Sequence, residues 1–197
     1  DVGAEVVRRL SEHGLTVSLS SFGATALLVP FIGRLTRRRE SRPWSFLLGK
    51  RIPWQVLMRW CAAVLALIVV GDTLTHFLGR PVVAPWMVTV YQSGYAPLLF
   101  ASIVIAAPLF EELLVRGFLL GGLMAAGTRP WIAVATTSVA WAVVHLQYDW
   151  FFFGEVFCIG LLLGWLRHRS GSTWLTIVIH GLNNFAATVQ TFWLAGN

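Results

Sequence analysis

Charge, cysteine and lysine are all in short supply. Only 12% of the 197 residues are charged, against about 25% in a soluble domain. A water-facing surface cannot be built around a chain that is 56% hydrophobic. The two cysteines, Cys61 and Cys158, both lie within apolar runs. They exclude a disulfide framework or a cysteine-rich metal site, and read as packing or lipid-facing residues. The lone lysine, Lys50, stands among arginines, a bias of GC-rich coding that points to a bacterial source. None of the apolar runs alternates polar with apolar residues, which removes the barrel-strand reading. No repeat or low-complexity tract is present. A signal peptide is not expected either, because the first apolar run follows a charged, helix-like stretch without a cleavage-site pattern. The chain starts at Asp1 rather than Met, so a preceding piece is expected.

What is abundant is apolar surface. Mean hydropathy is +0.69, and lipid must be the solvent for most of the chain. Ten Trp and thirteen Phe fit that reading, since Trp collects at membrane–water interfaces. The net charge of +6 comes largely from a short segment holding Arg34, Arg37, Arg38, Arg39, Arg42, Lys50 and Arg51. Such a segment between apolar runs is a loop against anionic lipid, and no nucleic-acid partner is expected.

A spanning helix needs ~20 mainly apolar residues, and six runs qualify or nearly do: 14–33, 55–78, 95–126, 130–147, 150–167 and 172–195. The prediction is an all-α, multi-pass transmembrane bundle of about six helices. It forms one integrated membrane domain, with N-terminal helices and a basic loop over 1–94 and a core over 95–197. Pro81, Pro85, Pro97 and Pro130 mark breaks or helix starts. If the runs alternate, loop 34–54, Arg129 and the Arg167-His168-Arg169 turn share one side. The positive-inside rule makes that side cytoplasmic, with Arg8 and Arg9 arguing mildly the other way.

Ionisable residues within apolar helices cost roughly 2.5–3.5 kcal/mol each on insertion scales and are functional hypotheses by default. Glu112 and Arg116 are four apart in the favourable order, so they read as a structural ion pair. Glu111 is rotated ~100° away, left without that partner and suited to acid–base work. His145 and His180 are each unremarkable alone. Asn184 shares a helix face with His180, while Asn183 points elsewhere and reads as a hydrogen-bonding residue between helices. Three polar sites on three helices together imply a common water-filled cavity collecting Glu111, Glu112, His145, His180 and Asn184.

The order Glu-Glu-x-x-x-Arg, aromatic-x-x-x-His and His-x-x-x-Asn on successive hydrophobic helices resembles the CAAX prenyl protease and bacteriocin-processing family (CPBP, or Abi). The match covers about residues 95–190. Pro108, Gly117 and Leu146 fit it too, and Trp141 stands where Phe is common. The resemblance implies an intramembrane endopeptidase in which Glu111 is general base, His145 helps activate a water, and His180 and Asn184 stabilise the oxyanion. Glu112 and Arg116 would support them. Its substrate would be a membrane-associated peptide or protein, although the removal of three residues from prenylated C-termini does not carry over to a bacterial chain.

Several alternatives stay open at this level. Glu111, His145 and His180 are also a set able to hold a divalent metal such as zinc with an open position, and no other cofactor is implied. The metal-free mechanism is preferred, because no His-Glu-x-x-His is present. A non-catalytic scaffold or immunity factor, or a proton-coupled transporter, would also keep a polar cluster in the membrane. Asp72 and His76 read as an interfacial pair. Glu155 reads as a partner of Arg116 or as a cavity residue. Glu111 falls mid-run and His145 near a run's end, so their meeting requires tilted or broken helices or a site displaced toward one face.

Overall fold

In lipid every backbone N–H and C=O must be satisfied within the chain, which for these uninterrupted apolar runs means helix. The computed structural model describes residues 2–195; Asp1, ahead of which a further piece was expected, lies outside the described residues. Nine helices follow one another among the described residues: α1 Val2–Ser11, α2 Gly14–Arg37, α3 Pro43–Leu48, α4 Trp54–Phe77, α5 Pro85–Gln92, α6 Ala96–Ala125, α7 Pro130–Val143, α8 Trp150–Ser170 and α9 Thr173–Ala195. The chain is an all-α membrane bundle.

All six apolar runs are helical, and the short α1, α3 and α5 are additions. Four helices (α2, α4, α6 and α8) are long and apolar enough to cross a membrane. α9 has 23 residues and carries the polar positions His180, Asn183 and Asn184. α7 has 14 residues, a rise of roughly 21 Å against a hydrocarbon core of ~30 Å. The expected run 130–147 therefore ends early, and His145 falls in the turn beyond the helix.

Local signals set the boundaries. Pro43, Pro85 and Pro130 open their helices, where a missing N–H costs nothing. Asp149 caps α8 by accepting from Phe151 N at 2.9 Å and Phe152 N at 3.1 Å. Gly171 ends α8 at φ 68°, a left-handed turn that glycine adopts without strain. Trp54, Trp131, Trp150 and Trp174 each stand at the first or second residue of a helix, the interfacial level Trp favours. Leu27 and Phe77 are 74% and 80% exposed on the outer faces of α2 and α4, where lipid is their solvent.

Inside, Val64, Val115, Trp141, Leu163, Leu166, Leu175 and Ile179 form a core joining α4, α6, α7, α8 and α9. α7 and α8 approach closely because Gly160 and Gly164 face them: a Cβ there would stand 3.1 Å from Ser138 and 2.9 Å from Val134. α6 has two π-helical turns, Ser102–Ala106 and Leu113–Leu120, and Glu111-Glu112 lies between them.

The two ends of the bundle are distinct. At the basic end, Lys50 N donates to Gly171 O at 2.8 Å, and Thr173 Oγ1 donates to Leu47 O at 2.6 Å. At the other end, Gly14 N donates to Ser93 Oγ at 2.6 Å, Trp86 Nε1 donates to Ser11 O at 3.2 Å, and Arg80 pairs with Asp149 at 2.6 Å.

Candidate active site

The acidic pair on α6 divides as helical geometry requires. Glu112 is fully buried and Arg116 is 1% exposed; Arg116 Nη1 reaches Glu112 Oε1 at 2.8 Å. The i,i+4 pair survives although the chain from Leu113 onward is π-helical. Arg116 Nη2 donates to Gly160 O at 3.3 Å, and its guanidinium lies 4.6 Å from the centre of the Trp141 ring. The guanidinium is thus held on three sides. Glu112 Oε1 also accepts from His180 Nδ1 at 3.0 Å, while Oε2 is buried without a hydrogen-bond partner.

Glu111 faces the other way, into a cavity of about 710 Å³ that His145, His180 and Asn184 also line. Trp141 Nε1 donates to Glu111 Oε2 at 2.6 Å, a short bond of the charge-assisted kind. His145 Nδ1 lies 2.8 Å from Trp141 O. A carbonyl only accepts, so Nδ1 carries the proton and Nε2 of the neutral ring is an acceptor. Asn184 Nδ2 donates to Ile103 O at 3.0 Å, inside the first π turn of α6. One of its two amide hydrogens is used, and the other is free to bind elsewhere.

Of the five residues expected on one cavity, Glu111, His145, His180 and Asn184 border it. Glu112 does not. It stands behind His180, because its pairing with Arg116 turns it into the protein core. Asn183 was expected to point elsewhere and instead lines the cavity, as does Glu155. The question left open for Glu155 resolves as cavity residue, since Arg116 is taken by Glu112. The expected Asp72–His76 pair does not form: Asp72 accepts from Gln190 Nε2 at 2.5 Å, and His76 packs edge-on against Phe77. The depth mismatch resolves because α7 stops at Val143, and the cavity is displaced toward the end of the bundle away from the basic loops.

Two contributors escaped sequence reasoning. Trp141 was read only as an aromatic, yet its N–H holds Glu111 and its ring lies 5.0 Å from His145 and 5.3 Å from His180. Tyr148 stacks on His145 at 6.0 Å and 21°. The Trp-x-x-x-His spacing, one helical turn, was the available signal.

Glu111, His145 and His180 do not fit a metal ion in this arrangement. Among the described residues no three His, Cys, Asp or Glu side chains are grouped closely enough to hold one. The Trp141 ring stands beside both histidines and presents an N–H, not a lone pair, to the carboxylate. No step below passes through a metal.

Residues 93–186 match the Rce1-like family, described as Type II CAAX prenyl endopeptidase Rce1-like. This segment of the chain is similar to that family. The match bears out the resemblance to the CPBP family carried by the three motifs, and all of the cavity's motif residues fall within the Rce1-like segment. An uncharacterized 24.3 kDa protein of Escherichia coli is 30% identical over 129 residues, covering 61% of this chain and 58% of that protein. The chain thus spans a little over half the length of that curated relative. No solved structure matches the chain.

Proposed function

We propose that this chain is an intramembrane endopeptidase of a bacterial cytoplasmic membrane that hydrolyses peptide bonds with a water activated by Glu111 and His145. The observation carrying this reading is that Glu111, His145, His180 and Asn184 border one cavity within an apolar bundle. Lipid cannot solvate such groups, so they remain there at a cost that a catalytic task explains.

Amide hydrolysis needs a base for water, donors for the developing oxyanion, and an acid for the leaving amine. Trp141 fixes Glu111 Oε2, and the remaining oxygen takes a proton from a water that His145 Nε2 helps to orient. The hydroxide attacks the peptide carbonyl carbon. The second amide hydrogen of Asn184 and Nε2–H of His180 stabilise the oxyanion. His180 already gives Nδ1–H to Glu112, so it donates from Nε2 only when both ring nitrogens carry a proton. Glu111 then passes its proton to the leaving nitrogen as the C–N bond breaks.

The test is Glu111→Gln. Gln is nearly isosteric and accepts from Trp141 but cannot take a proton. The variant should insert and fold, yet lose cleavage of a reporter peptide by about 10²–10⁴-fold, the usual worth of general acid–base catalysis. Retained cleavage would sink the assignment, and cleavage abolished by a chelator would replace it with a metal mechanism.

A further inference from the structure

The cavity is not centred in the bundle. Its lining comes from the first two turns of α2, the later part of α4, the start of α5, the stretch of α6 from Ile103 to Leu119, the end of α7, the first half of α8 and the later part of α9. Outside the long helices it is bordered by Ser11 at the end of α1, by Val82, Val83 and Ala84, and by Val144, His145, Gln147 and Tyr148 of the turn after α7. All of these belong to the end of the bundle where α1 meets the 78–95 segment and the 144–149 turn, tied together by Trp86–Ser11 and Arg80–Asp149. The connecting segments of the basic end, 38–53, 126–129 and 171–172, contribute nothing to the lining among the described residues.

Charge decides which end faces the cytoplasm. The basic end holds the arginine-rich 34–51 segment, Arg129, Arg167 and Arg169, with Glu40 as the acid among them. The cavity end holds Arg8, Arg9 and Arg80, and each of these is ion-paired: Arg8 with Glu5 and Glu12, Arg9 with Glu5, Arg80 with Asp149. The orientation follows from the number of basic residues at each end, three at the cavity end against ten at the far end, which outweighs the objection from Arg8 and Arg9. Positive loops stay in the cytoplasm.

We propose that the cavity opens to the non-cytoplasmic face of the membrane and is loaded from that side. Given the protease reading, on which this consequence alone rests, the substrate is a polypeptide segment already translocated across the membrane, not the C-terminus of a cytoplasmic protein. Water reaches Glu111 by the same route.

The test is cysteine accessibility in the full chain, with Cys61→Ala and Cys158→Ala as background. Gln147→Cys places a thiol at the cavity mouth on a residue outside the proposed chemistry, and Arg38→Cys places one in the basic loop. A membrane-impermeant maleimide added to intact spheroplasts should label Cys at 147 and leave Cys at 38 unlabelled until lysis. Ser11→Cys gives a second reporter of the mouth should Gln147→Cys fail to accumulate. Labelling of the mouth only after lysis, or of position 38 before it, overturns the proposal. Repeating the experiment in Glu111→Gln keeps the two questions apart, because accessibility should be unchanged whether or not the protein cleaves anything. A second arm presents one reporter peptide on either side of the membrane. Cleavage of the cytoplasmic reporter alone refutes loading from outside, whereas cleavage of neither, with the labelling pattern intact, refutes the protease reading only.

Discussion

Replacing Glu112 by Gln separates what the buried ion pair contributes to folding from what it contributes to chemistry. Glu112 is fully buried, and its Oε1 serves both Arg116 at 2.8 Å and His180 at 3.0 Å. The amide oxygen of Gln can still accept both bonds, so hydrogen-bond geometry is nearly kept and only the negative charge is lost. Arg116, 1% exposed, is then a buried cation without its hydrogen-bonded counter-charge. Breaking such a pair from one side costs about 3–5 kcal/mol. For a chain of this size 1 kcal/mol moves the melting temperature by roughly 2–4 °C, so a fall of about 6–20 °C is expected. Adding Arg116→Gln removes the orphaned charge and should recover part of the loss. Recovery stays incomplete, since the contact with the Trp141 ring, worth roughly 0.5–2 kcal/mol, disappears as well. Activity should not recover with stability, because the carboxylate that accepts from His180 Nδ1 has been replaced by a weaker, uncharged acceptor. The assay is thermal unfolding in detergent beside reporter cleavage, for the parent, both single variants and the double variant. A Glu112→Gln melting point within about 2 °C of the parent, or a double variant less stable than Glu112→Gln, would refute the reasoning. Full activity in the double variant would show that His180 does not depend on Glu112.

Trp141→Phe keeps the ring over Arg116 but removes the N–H bond to Glu111. A hydrogen bond to a charged group is worth roughly 1.5–3 kcal/mol, so the melting point should fall by about 3–12 °C, and kcat should fall as Glu111 loses its fixed position while KM changes little. An indole N–H resonance that fails to move in Glu111→Gln would contradict the bond. The Phe152 and Phe151 backbone N–H groups, helped by Arg80, hold the Asp149 carboxyl below its usual range. The stabilisation from this cap is therefore complete above the ordinary aspartate value of ~3.9 and is lost as pH falls through the lowered folded value. The melting-point gap between parent and Asp149→Asn should be open at neutral pH and close on acidification, and a gap independent of pH would exclude the carboxylate as its source. Gly49→Ala should lower expression and melting temperature, because φ is 69° and the added Cβ would collide with the Gly171 carbonyl; an unchanged melting point would deny that the 49–171 contact holds the basic end together.

Sequence alone determined the solvent, the helices and the three motifs. Hydropathy and charge content depend on composition, and with the backbone obliged to satisfy itself in lipid, six apolar runs could only be helices. The Glu112–Arg116 pair and the opposite facing of Glu111 follow from rotation per residue, which is local. Tertiary structure decided everything that depends on which helices touch. Asp72 bonds Gln190, not His76, because α4 packs beside α9. Glu112 leaves the cavity because Arg116, one turn further along α6, and His180 on α9 draw it inward. Trp141 acquires its role only because α7 packs against α6 and lays the indole N–H on Glu111, a contact across 30 residues of sequence that no spacing encodes. The side on which the cavity lies was undecided by the sequence for the same reason: charge fixes the orientation of the loops, but only the packing of α2, α8 and α9 says between which of their turns a space is left.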